Sequence, residues 1–144
     1  MKKFKGTGVA VITPFKNDMS IDFSSMGKII EHLIGGGVDY LVILGTTGEA
    51  STLNRDEKSA LTSFAVEAVD KRVPLVVGIG GNNTSETVSY IRQADLEGVD
   101  AILSVAPYYN KPNQRGIYQH FRQIAATSPV PVILYNVPSR TASS

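Results

Sequence analysis

An α/β fold of parallel strands is predicted, and three observations carry the prediction. Short runs of β-branched and other apolar residues recur at 8–12, 40–44, 75–79, 101–105 and 130–134. Stretches with apolar residues at helical spacing separate them. The interval between strand starts is close to the ~30 residues of one strand–helix–strand unit. Runs apolar on both faces suit strands covered on both sides, as in a parallel sheet.

The elements follow in order. After the first strand, Phe23, Met26, Ile30 and Leu33 form one helical face, and Gly35-Gly36-Gly37 supplies a stop where a left-handed backbone is cheap. Asn54 with Glu57 reads as a capping box opening a second helix, whose apolar face carries Leu61, Phe64, Ala65 and Ala68. Thr84 is the expected cap of a third helix, with Val88 and Ile91 inward. The fourth carries Ile117, Phe121 and Ile124 and ends before Pro129 and Pro131. Strands and helices thus alternate, five against four. Parallel neighbours require such crossovers, because a hairpin cannot join strands that run the same way.

Two architectures share this period, an open doubly wound sheet and a (β/α)8 TIM barrel. A complete barrel has eight units and ~250 residues, whereas this chain has 144. The loops after the strands favour the barrel, since every one is furnished with polar or aromatic groups. They are Thr13-Pro14-Phe15, Gly45-Thr46-Thr47-Gly48-Glu49, Gly80-Gly81-Asn82-Asn83, Pro107-Tyr108-Tyr109-Asn110-Lys111-Pro112 and Tyr135-Asn136-Val137-Pro138-Ser139-Arg140-Thr141. An open sheet uses chiefly its switch-point loops. Residues 1–144 are therefore expected to be the N-terminal portion of a barrel domain, strands 1 to 5 and helices 1 to 4, with the C-terminal half absent. Strands 1 and 5 would be unpaired edges.

Composition excludes several function classes. A net charge of +1, with no basic run interleaved with aromatics, gives no support for nucleic-acid binding. The absence of cysteine removes disulfides and thiolate metal sites, and fits a reducing cytoplasm. The basic start leads into a short apolar run with no cleavage site, so it reads as a strand and not a signal peptide. No run approaches the ~20 residues of a membrane helix. His32 and His120 fall within helices, and no His/Asp/Glu group has metal-ligand spacing. No cofactor is expected.

The loops suggest the chemistry. Glycines flanking Thr46 and Thr47 let N–H groups and hydroxyls converge on a small anion such as a carboxylate, or simply build a tight turn with a capping threonine. The spacing is not that of a P-loop, and Gly78-Ile79-Gly80-Gly81 lacks the third glycine of a dinucleotide site. Tyr108, Tyr109 and Tyr135 are either packing residues or, with Thr46, hydroxyls able to pass a proton through a site without histidine. Arg140 is either a surface cation or a bidentate carboxylate partner. Glu49 and Glu57 read as turn and capping residues.

Taken together, residues 8–15 (GVAVITPF), 45–49 (GTTGE), 107–112 (PYYNKP) and 135–141 (YNVPSRT) resemble the dihydrodipicolinate synthase family, in its order and spacing and over the whole chain. Sister pyruvate lyases such as sialic acid lyase usually carry serine at the position of Thr46 and lack the arginine. The resemblance implies condensation of pyruvate, held as a lysine Schiff base, with aspartate semialdehyde in lysine biosynthesis, by a cytoplasmic homotetramer of tight dimers. It implies Thr46, Tyr109 and Tyr135 as the proton relay, Tyr109 reaching into a neighbouring subunit, with Thr47 on the pyruvate carboxylate and Arg140 on the semialdehyde carboxylate. The imine-forming lysine would lie on a sixth strand, beyond Ser144. Ser51, Asn82, Glu86 and Tyr108 match an allosteric lysine pocket, beside which Arg55 and Lys58 place two cations. The alternatives are a non-catalytic half-barrel assembly piece and a sister pyruvate aldolase.

Overall fold

The computed structural model describes residues 4–45, 48, 50–81, 83–105 and 113–135. They fall into two compact units, Met1–Gly78 with Glu97–Asp100, and Ile79–Leu96 with Ala101–Ser144.

The first unit holds β1 (Gly8–Ala10), α1 (Phe23–Gly35), β2 (Tyr40–Ile43), a 3-10 turn at Ala50–Thr52, α2 (Arg55–Val69) and β3 (Leu75–Gly78). β1 pairs parallel with β2, Gly8 opposite Tyr40, and β2 with β3, Leu41 opposite Leu75. β2 buries alternate residues, whereas β3 is buried on both faces, Val76 at 0% exposed between Leu75 and Val77. Leu41, Ile43, Leu75 and Val77 are all at most 2% exposed and lie on one face with Val9 and Val11. Met26 and Ile30 of α1 and Leu61 and Ala65 of α2 are fully buried. Each large aliphatic side chain so covered contributes ~1.5–3 kcal/mol.

Local chemistry sets the helix ends. Asp22 caps α1, accepting from Ser25 N at 3.0 Å. The expected capping box at α2 is complete, with Glu57 N donating to Asn54 Oδ1 at 2.8 Å and Asn54 N to Glu57 Oε1 at 3.0 Å. Thr62 joins the buried face of α2, its hydroxyl satisfied by Lys58 O at 2.8 Å. Arg72 donates to Glu31 from both terminal guanidinium nitrogens, but side chains 40% and 60% exposed leave this surface pair screened by water and of little weight for stability.

The second unit holds α3 (Thr84–Gln93), β4 (Ala101–Val105), α4 (Gln114–Thr127) and β5 (Val132–Tyr135). β4 and β5 pair parallel from Ile102–Val132 to Val105–Tyr135. Two expectations need correction. Thr84 is not the cap of α3 but its first residue; Asn83 caps, its Oδ1 accepting from Glu86 N at 3.1 Å. The fifth strand starts at Val132 and not at 130, because Ser128 Oγ bonds both N and O of Val130 into a turn and Pro131 has no N–H to give. At the edge strands, Ile12 and Leu134 are 54% and 60% exposed.

Candidate active site

The second strand runs into strain. Leu44, just past β2, has φ 57, a left-handed backbone that costs an ordinary residue roughly 1–2 kcal/mol. Such a conformation persists where its surroundings over-determine it, and it is enriched at active sites. Here the surroundings are three strand ends. Gly48 N donates to Gly45 O at 3.1 Å. Thr13, just past β1 and 3% exposed, donates its hydroxyl to Gly48 O at 2.6 Å. A Cβ on Gly48 would stand 3.1 Å from both Leu44 N and Val11 O, and one on Gly78, at the end of β3, only 2.1 Å from Leu44 O. Gly78 is required by close backbone approach, while at Gly48 the fit is tight and a Cβ would need its neighbours to give by a few tenths of an ångström.

Gly45 and Gly48, the described ends of this motif, are thus held between the ends of β1 and β3 by the Gly48–Gly45 and Thr13–Gly48 hydrogen bonds and the close approach of Gly78 to Leu44. Sequence reasoning placed Thr13 in a strand-end loop and gave it no role. Its signal was weak: a threonine after a strand end, with its acceptor 35 residues away.

The other expected residues divide as follows. Tyr135 ends β5 half-buried, in register with Val105. Ser51 is exposed in the 3-10 turn, and Glu86 is exposed in the first turn of α3. Arg55 and Lys58 stand in the first turn of α2. Lys58 is half-buried, and burial first, then the Arg55 cation, holds its ammonium below the ordinary lysine value. Thr46, Thr47, Glu49, Asn82, Tyr108, Tyr109, Lys111 and Arg140 lie outside the described residues. No cluster of three His, Cys, Asp or Glu side chains occurs among the described residues.

His120 is a polar group that the sequence passed over as an ordinary helical residue. It is 2% exposed, with Nδ1 2.7 Å from Thr84 Oγ1. Burial pushes its pKa down, against a smaller upward pull from the Val105 backbone, while Nε2 completes no hydrogen bond of good geometry. The clue lay in spacing: Ile117, His120, Phe121 and Ile124 share one helical face.

A profile of the dihydrodipicolinate synthetase family matches residues 3–144. The chain belongs to the dihydrodipicolinate synthetase family. It is 55% identical over 144 residues to the 4-hydroxy-tetrahydrodipicolinate synthase of Flavobacterium psychrophilum, covering 100% of this chain and 49% of that protein. Among solved structures it is similar to a monomeric dihydrodipicolinate synthase variant, with TM-score 0.94 and 41% identity over 99% of this chain and 47% of the other. It is also similar to a prophage protein of the dihydrodipicolinic acid synthase family from E. coli K12, solved in complex with pyruvate. There the TM-score is 0.91, with 38% identity over 98% of this chain and 47% of the other. The chain spans about half the length of the relatives it matches. The fold class is that of the TIM-barrel family, of which these residues supply five strands and four helices.

Proposed function

We propose that the full polypeptide carrying this chain condenses pyruvate with aspartate semialdehyde in lysine biosynthesis, through an imine on a lysine that lies beyond Ser144. The observation that carries this reading is the clamped turn Leu44–Gly48. Its described residues are Leu44, at φ 57, Gly45 and Gly48, the last held by Thr13, and they belong to the motif at 45–49 in a member of this family. A keto acid needs a carboxylate anchor, and its imine needs protons moved on and off the leaving water. Thr47 supplies the anchor. Thr46 stands between Tyr135 and Tyr109 in the relay, with Tyr109 donated across a subunit interface, and Arg140 holds the semialdehyde carboxylate. Pyruvate bound to the E. coli relative supports the substrate class. The assembly is a homotetramer of tight dimers in the cytoplasm, and residues 1–144 alone are inactive.

Borohydride trapping tests the chemistry. A lysine amine attacks the pyruvate carbonyl carbon, water leaves, and hydride reduces the imine to a stable secondary amine. The full polypeptide is expected to gain one such adduct, on a lysine outside residues 1–144, and the 1–144 polypeptide none. An adduct mapped to Lys111, or to any other lysine of this chain, overturns the assignment.

Regulation follows from α2. Lysine would bind among Ser51, Asn82, Glu86 and Tyr108, where the Lys58 cation opposes its ammonium, more so if water is excluded, and Arg55 is able to meet its carboxylate instead. Weak or absent inhibition by lysine is therefore expected, and Lys58→Glu should increase it. Synthase activity measured against rising lysine decides this, and strong inhibition of the unmodified enzyme at low lysine refutes it.

A further inference from the structure

Two short segments that lead into strands repeat one sequence and one geometry. Gly37-Val38-Asp39 precedes β2, and Gly98-Val99-Asp100 precedes β4. Both glycines have a left-handed backbone, at φ 88 and φ 85, where a side chain would be strained. Each aspartate then closes on a single residue at the start of an earlier strand. Asp39 N donates to Thr7 O at 2.9 Å, and Asp39 Oδ2 accepts from Thr7 N at 2.6 Å. Asp100 N donates to Leu75 O at 2.8 Å, and Asp100 Oδ2 accepts from Leu75 N at 2.8 Å. Thr7 is the residue before β1, and Leu75 is the first of β3. Both pairs lie within the first unit.

A parallel ladder leaves the first N–H of a strand without a carbonyl opposite, because the neighbouring strand has not yet begun. The carboxylate supplies that acceptor, and its charge makes the bond stronger than one to a carbonyl. Proline answers the same need differently. Pro74 and Pro131 have no N–H and offer only their carbonyls, to Leu41 N at 3.1 Å and to Ile102 N at 2.9 Å. Aspartate thus stands immediately before β2 and β4, and proline immediately before β3 and β5.

We infer that Asp39 and Asp100 are two copies of one strand-start latch, and that the Asp100 copy is the stronger. The two differ in what water can replace. Thr7 and Asp39 are exposed, whereas Leu75 is 1% exposed and Asp100 half-buried. Without Asp39, water takes the Thr7 N–H. Without Asp100, the Leu75 N–H is a buried donor with no acceptor, and its full desolvation cost is felt. Gly6 belongs to the first copy, since a Cβ there would overlap the Asp39 carboxylate. In the second copy, β3 is held at Leu75 by Asp100 and at its other end by the approach of Gly78 to Leu44. The latch does not depend on the function proposed above.

Hydrogen–deuterium exchange of the full polypeptide, resolved to single amides, tests this with Asp100→Ala, Asp100→Asn and Asp39→Ala. In Asp100→Ala the Leu75 amide is expected to exchange about 10- to 100-fold faster, beyond any change in α1 and α2. Asp100→Asn keeps an acceptor without the charge, so the rise there should be about 3- to 10-fold. In Asp39→Ala the Thr7 amide should quicken by no more than about fivefold, because water competes for it already. Quickening spread evenly over the protein in Asp100→Ala, with no excess at Leu75, would mean general stabilisation and overturn the latch. Should Asp100→Ala fail to fold, Asp100→Asn decides, and unchanged Leu75 exchange in it overturns the inference. A larger effect at Thr7 than at Leu75 would reverse the ranking of the two copies and refute the burial argument.

Discussion

Gly78→Ala is expected to destabilise the protein by about 3 kcal/mol, the upper end of the cost of overpacking. The new Cβ would stand 2.1 Å from Leu44 O. That atom is backbone, in a residue already held at φ 57, so no rotamer change can make room. Either β3 withdraws from β2 or the Leu44 peptide turns away, and both release the Gly45–Gly48 turn. The matched control is Gly45→Ala, whose Cβ would meet only Val42 Cγ1 at 3.9 Å, an ordinary contact. It should stay within about 0.5 kcal/mol of the parent. Denaturant midpoints of the two variants give the answer. Equal midpoints would mean that the approach of Leu44 to Gly78 does not constrain the turn.

Arg140→Ala in the full polypeptide is expected to cost about 1.5–3 kcal/mol of transition-state binding, the range for a hydrogen bond to a charged group. At 1.4 kcal/mol per decade this is roughly a 10- to 150-fold loss in kcat/KM for aspartate semialdehyde. Pyruvate should be affected far less, because its carboxylate is assigned to Thr47. Arg140→Lys should recover little, since an ammonium cannot reproduce the two parallel bonds of a guanidinium to a carboxylate. Steady-state kinetics with each substrate varied in turn separate the two. Unchanged semialdehyde kinetics would favour a sister pyruvate aldolase.

Much of the fold was legible in the sequence because its signals are local. The capping box at Asn54 and Glu57 closes within four residues and is present in full. The helical face of α1 at Met26 and Ile30 is the buried one. Where local signals competed, the sequence misled. Thr84 and Asn83 are both good caps, and it is Asn83 that has the extended backbone of a cap and whose Oδ1 accepts from Glu86 N, with Thr84 already in the first turn. Residues 130 and 131 have a strand-like composition, yet Ser128 and Pro131 delay β5 to Val132. Of the candidate site, the loop motifs were readable as residue types only.

The sequence by itself determined the alternation of strand and helix, four of the five strand starts, the strand-end motifs and the family. Each depends on side-chain period or on residues adjacent in the chain. Only the tertiary structure decided that Leu44 is left-handed, that Gly78 must lack a side chain, that Thr13 holds Gly48, and that His120 is buried against Thr84. The Thr13–Gly48 and Thr84–His120 contacts join residues 35 and 36 apart. No periodicity spans such an interval, so these constraints exist only once parallel pairing and helix packing have brought the strand ends and helices together.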